Sequence, residues 1–220
     1  MILSELVPAV ILKATGKVTA LTPTDTKYQK VLGIANFYIQ SWSNTKNVDW
    51  LSLYNRKTNI GTVTGTDTFA LPNTLRKISD TSGDFVQVIN GTNVANYNVV
   101  PAEKLGLYDE GSNVCAQIKR DLVFRTAFSA DSPLYGATIY VPGYEYAQGL
   151  ANDTDTVPVD IPEWLVLVTA AEYIRNDITK QNQYPNIIAE ANEMLERMID
   201  DNDAQINTAY FPWKPQGRSW

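Results

Sequence analysis

A chain of 220 residues, 44% hydrophobic and 19% charged, has enough apolar material for one large globular domain or two small ones. It contains no histidine and a single cysteine, so the commonest general acid/base is missing and no disulfide can close within the chain. The net charge of -6 argues against a general nucleic-acid coat, and no run approaches the ~20 apolar residues of a membrane span.

The opening MILSELVPAVILKATG has an apolar run with no basic residue ahead of Glu5, unlike a secretory leader. It reads as a helix instead. Ser4 is the candidate N-cap, Leu3, Val7, Val10, Ile11 and Ala14 share a face, and Gly16 is the stop. Pro8 is tolerable if it falls in the first turn, where its missing amide hydrogen has no partner anyway. A second helix begins with Thr22 as cap, Pro23 at the first helical position and Asp25 as a capping-box-like carboxylate. Tyr28, Val31, Leu32, Ala35, Tyr38, Ile39 and Trp42 then recur at helical spacing, as a core stripe does.

From about Asn47 to Gly149 the period changes to two. The runs LRKISD, DFVQVIN, NVCAQIK, DLVFRT and ATIYVP are short and rich in β-branched residues. Asn90-Gly91 and Ser82-Gly83 are hairpin markers, and Asp109-Glu110-Gly111 and Asp131-Ser132-Pro133 mark loops. Closely spaced short strands predict an antiparallel sheet, barrel or sandwich. Cys115 lies in the alternating NVCAQIK, where it packs rather than reacts.

Helix returns at Ile161, with Pro162 at its start and Trp164, Leu167, Val168, Ala171, Ile174 and Ile178 as its stripe. Tyr184-Pro185 interrupts the pattern. A last helix carries Ile187, Ala191, Met194 and Met198 on one line, with Glu190, Glu193, Glu196 and Arg197 on its polar side, and Asp200-Asp201-Asn202-Asp203 ends it. The closing TAYFPWKPQGRSW cannot be helical through its two prolines, and its aromatics need a surface to cover. The class is therefore α+β. Helical pairs in residues 1–46 and 151–206 form a small bundle, residues 47–150 form a central antiparallel β-domain, and residues 207–220 form an extended aromatic arm.

Chemistry is sparse in this pattern. There is no phosphate-binding glycine loop, dinucleotide fingerprint or nucleophile elbow, and the aspartates at 200–203 lack the glycine and distal glutamate of a calcium loop. No catalytic residue, cofactor or metal is assigned, and the expectation is a binding or structural protein rather than an enzyme. Residues 1–60 carry seven Lys/Arg against three Asp/Glu, whereas residues 160–209 carry three against ten. That asymmetry fits differently solvated faces or head-to-tail contacts between copies. Two alternatives come from other classes: a carbohydrate-binding β-module using tyrosines such as Tyr135, Tyr140, Tyr144 and Tyr146, and a hydrolase built on carboxylates alone.

Four segments, in this order and spacing, resemble the head-to-tail adaptor (connector, or neck) proteins of tailed bacteriophages. They are the N-terminal helices ending in SWSNTKNVDWL, the extended TNIGTVTGTDTFALPNTLRKI with Phe69, Leu71 and Pro72, the strand run VFRTAFSADSPLYGATIYVPGYE, and VPVDIPEWLVLVTAAEYIRNDITKQNQYPNIIAEANEMLERM. The resemblance implies a structural virion protein at the head–tail junction, present in host cytoplasm during assembly. Its partners would be the portal protein, the tail or next neck protein, and further copies of itself in a ring, twelvefold in that family. Packaged DNA would pass through the lumen without sequence-specific binding, eased by an acidic wall, and no membrane is involved. By the same resemblance the C-terminal arm would dock on the portal through Tyr210, Phe211, Trp213 and Trp220, with Lys214 and Arg218 meeting acidic loops. Self-packing of the arm over an apolar groove is the competing fate.

Overall fold

The computed structural model describes residues 1–79, 81, 83–126 and 128–209. The chain divides into two compact units, one of residues 1–52 with the chain from 147 onward, the other of residues 53–146.

The first unit is helical. Helix α1 (Leu3–Thr15), α2 (Thr26–Ser43), α3 (Pro162–Ile174) and α4 (Tyr184–Ala209) make up its body, and α3 packs against each of the other three. Helix α1 starts at Leu3 rather than after Ser4. Its first amides are satisfied by backbone, from Leu3 to the Asp155 carbonyl at 2.9 Å and from Ser4 to that of Asp153 at 3.1 Å, so no side-chain cap is needed. Pro8 sits beyond the first turn, inside the helix, where it removes the amide that would bond the Ser4 carbonyl. Gly16 ends the helix at a φ of 71°, the left-handed conformation that a side chain disfavours. Ahead of α2 the Asp25 carboxylate accepts from the Thr22 amide at 2.6 Å, the reciprocal half of a capping box, while regular helix begins only at Thr26.

The unit's core is built from Leu6, Val10 and Ile11 of α1, Val31, Ala35 and Ile39 of α2, Leu165, Val168 and Ile174 of α3, and Ile187, Ala191 and Met198 of α4. Trp42 stacks on Trp50 at 4.9 Å between ring centres, and the Trp50 indole donates to the Trp42 carbonyl at 2.8 Å. Two expectations change here. Ile178 leaves the α3 stripe, lying in a short 3-10 turn after the helix and 82% exposed. Helix α4 does not stop at the aspartates but runs on to Ala209, taking in the first residues assigned to the arm.

The second unit is a sheet. Strands β1 (Tyr54–Thr62), β2 (Thr68–Ala70), β3 (Leu75–Ile78), β4 (Phe85–Asn90), β5 (Asn93–Val99), β6 (Val114–Ile118), β7 (Asp121–Phe124) and β8 (Thr138–Glu145) follow in chain order. They lie in the order β1-β8-β4-β5-β6-β7-β2, with β3 also paired to β8, and curl into a half-barrel. Strand β8 is the axis. It pairs with β1 along its length on one side, while β4 takes its first residues and β3 its last on the other. Register shifts in the β1–β8 pairing, between Asn55 and Thr58 and between Asn59 and Gly61, tighten the local twist.

Asn90-Gly91 makes the expected hairpin between β4 and β5, with Gly91 at a φ of 59°. The next connection does not. Residues 100–113 carry the chain back to the starting end, so β6 runs parallel to β5, with Asn98 opposite Val114 and Val99 opposite Cys115. Phe69, Tyr97, Phe124 and Phe128 pack edge to face in the core, the closest pair being Tyr97 and Phe124 at 4.8 Å.

The expected fold class is thereby corrected. Terminal helical pairs in a small bundle around an antiparallel β-region do not describe the molecule, because the β-part is a large curled eight-stranded mixed sheet with a parallel pair at β5–β6. The proposed aromatic arm from Tyr210 onward lies outside the described residues.

Candidate interaction surface

The residues that sequence reasoning assigned to partner binding, Tyr210, Phe211, Trp213, Lys214, Arg218 and Trp220, all lie outside the described residues. The functional geometry on view is therefore elsewhere, in polar clusters and outward helix faces.

Each polar cluster is accounted for by the fold. In the sheet unit Asp84 accepts from Tyr54 Oη at 2.8 Å and from Ser79 Oγ at 2.6 Å, which ties the loop after β3 to β1. Ser79 is buried and already donates to a carboxylate, a poor position for a nucleophile. Burial first, then the bond to Asp84, pushes the Tyr54 phenol far above its ordinary range. Arg120 donates from Nη1 to the Leu75 carbonyl at 2.8 Å and from Nη2 to that of Pro72, so it clamps the chain before β3. The Cys115 thiol is pushed up to about 12 by burial, the environment of an inert rather than a reactive cysteine.

In the helical unit Tyr28 donates to Asp153, and burial followed by that bond raises its phenol to about 12. The pair lines a cleft of about 340 Å³ together with Val7, Pro8, Val18 and Leu21. Buried Asn202 on α4 accepts from the Leu51 amide at 2.9 Å and donates to the Asp49 carbonyl at 3.1 Å, fixing residues 49–51 to the helix. Among the described residues no three His, Cys, Asp or Glu side chains converge as metal ligands. None of the described helices is long and apolar enough to cross a membrane.

The helix faces are less fully explained. Helix α4 buries Ile187, Ala191, Met198 and Asn202 and turns Glu193, Glu196, Asp200 and Asp203 outward, spaced by three and four residues so that they form one line. One carboxylate on this helix, Glu190, is engaged by Lys13 of α1 at 2.9 Å. Helix α2 buries Tyr28, Val31, Ala35, Ile39 and Trp42 and turns Lys27, Lys30 and Phe37 outward. Lys30 lies 4.5 Å above the Tyr173 ring of α3. Phe37 is 65% exposed, the most exposed aromatic side chain among the described residues.

Sequence reasoning recorded the buried stripe of α2 and overlooked the opposite one. The signal was present: Phe37 falls between Ala35 and Ile39, off the apolar line, with Lys30 and Lys27 seven and ten residues before it. Of the tyrosines named for carbohydrate binding, Tyr140 and Tyr146 are half-buried. Tyr144 is buried against Tyr54, with ring centres 5.4 Å apart, while Tyr135 is 45% exposed.

No protein-family model matches the chain, and no curated protein matches its sequence.

Proposed function

We propose that the protein is a structural component of a tailed-phage virion, a head-to-tail adaptor that assembles as a ring below the portal. The ring extends the DNA channel and offers a platform to the tail or the next neck protein. The observation that carries this reading beyond the sequence resemblance is the opposite charge of two outward helix faces on one unit, basic on α2 and acidic on α4. Identical chains that assemble head to tail need two different and complementary surfaces, and closure of such contacts gives a ring. Tyr210, Phe211, Trp213 and Trp220 then supply aromatic anchors for the portal, with Lys214 and Arg218 beside them. Repetition around a ring multiplies the strength of each such contact.

Co-sedimentation with the portal encoded in the same genome tests this role, comparing the full chain with one ending at Asn207. Binding of the full chain alone, in a fixed ratio, supports both the adaptor and its C-terminal anchors. Equal binding of both chains keeps the adaptor and removes the anchors. Failure of both to bind overturns the role.

A further inference from the structure

We infer that the outward face of α2 docks on the acidic outer line of α4 of a second copy of the chain, with Lys27 and Lys30 towards one end of the contact and Phe37 at the other. This deepens the ring reading by naming the two surfaces that meet, yet it requires neither portal nor DNA.

The α2 face carries one large apolar side chain on an otherwise polar and basic surface. Phe37 projects from the middle of the helix at 65% exposure, and Gly33, one turn before it, leaves open space beside the backbone. A large exposed aromatic next to a bare glycine forms a knob with a hollow behind it, which admits a second helix closely. Lys27 and Lys30 extend the same face towards the N-terminus.

Charge and length select the occupant. Ten residues separate Lys27 from Phe37, and ten separate Glu193 from Asp203. At the helical rise of ~1.5 Å per residue each line is about 15 Å long. The four carboxylates of the α4 line are all exposed, with Arg197 beside Glu193 and Glu196 as the one cation of that helix, so the line keeps an acidic balance that attracts the α2 lysines. Helices α2 and α4 belong to one unit and each packs on α3, so both surfaces are carried on every copy. The contact joins unlike patches and leaves one of each kind free, which propagates the assembly.

The test is a reciprocal charge swap on the full chain, followed by sedimentation equilibrium at low and high salt. Variant one carries Lys27→Glu and Lys30→Glu; variant two carries Glu193→Lys and Glu196→Lys. All four positions are exposed, and unchanged circular dichroism and melting verify the fold. The wild type self-associates more strongly at low salt. Each variant alone associates far more weakly than the wild type, because acid meets acid in variant one and the α2 lysines meet lysines at 193 and 196 in variant two. Mixing the two restores association with strict alternation, since the reversed α2 face meets the reversed α4 line and the native faces meet each other. Phe37→Ser weakens wild-type association on the order of tenfold or more without altering the fold. Association that survives both reversals, variants that fail to complement, or a wild type monomeric at every concentration overturns the inference. Portal co-sedimentation is read separately, so the role can fail while this contact stands, or the contact can fail while the portal is still bound.

Discussion

Replacing Gly143 by alanine adds one methyl group at the most crowded point of the sheet. A Cβ built there meets the Lys77 carbonyl oxygen head on, with Leu75 Cδ1 at 2.9 Å and the Ile78 Cα at 3.2 Å. Two of these three neighbours are backbone of β3, which is hydrogen-bonded to β8 at this point, so no rotamer change relieves the overlap. Strand β3 must move away and lose ladder bonds, or β8 must bend. Overpacking of a rigid site costs about 1–3 kcal/mol, and a backbone clash belongs at the upper end. We expect G143A to lose about 3 kcal/mol in urea unfolding followed by near-ultraviolet circular dichroism, which reports the aromatic cluster of the same unit. Gly33→Ala is the internal control. That glycine lies inside α2 with nothing within 4 Å of an added Cβ, so alanine there stabilises by roughly 0.5–1 kcal/mol through helix propensity. The same chemical change thus has opposite signs at two positions. A G143A loss below about 1 kcal/mol, or a destabilised G33A, refutes the packing argument.

Other expectations follow from buried polar groups. Asn202→Ala strips two part-buried hydrogen bonds from residues 49–51, the one from the Leu51 amide and the one to the Asp49 carbonyl, a loss of about 1–3 kcal/mol in denaturant titration. Asn202→Asp keeps the acceptor for the Leu51 amide and loses less if this account holds. The Thr169 hydroxyl on α3 is fully buried with no hydrogen-bond partner among the described residues, so Thr169→Val raises the thermal midpoint; a lower midpoint contradicts this. At alkaline pH the Cys115 thiol and the Tyr28 phenol both titrate about 12 when folded and near 9 and 10 when unfolded. Their contribution is complete below the unfolded values and is lost as pH climbs from there towards 12. Urea midpoints measured from pH 8 upward should therefore fall, and Tyr28→Phe should flatten the decline; an unchanged slope in Y28F removes Tyr28 from the explanation.

The helices were legible where their signals are local. Gly16, Pro162 and the Asp25 carboxylate act within a few residues, and each does in the fold what its chemistry dictates. The strands at 85–90 and 121–124 and the first half of 138–145 alternate between core and surface, and those at 75–78 and 114–118 are short β-branched or apolar runs, so the sequence displays them. Strand β1 does not. Its run YNRKTNIGT is an edge strand whose one buried side chain is Thr58, and an edge exposed along most of its length has no apolar alternation to show. The α4 terminus was misplaced for a related reason: the inward period continues through Met198 to Asn202, a polar residue filling a core position because it bonds the backbone of residues 49–51.

The parallel β5–β6 pair marks the limit of that kind of reading. A hairpin is specified by its turn, and Asn90-Gly91 specifies one. A parallel pair is specified by where a long connection returns, and the loop signals in residues 100–113 do not encode a direction. The outward face of α2 is hidden in the sequence for a different reason, because its buried stripe dominates the helical period and Phe37 falls off that stripe. An amphipathic helix has two faces, and the outer one is ordinarily polar. Phe37 departs from that rule, with its ring edge to face on Tyr38 at 5.3 Å and the rest of it outward. What singles this face out is charge rather than exposure: Lys27 and Lys30 share it with Phe37, and the outward carboxylates of α4 on the same chain have the opposite sign.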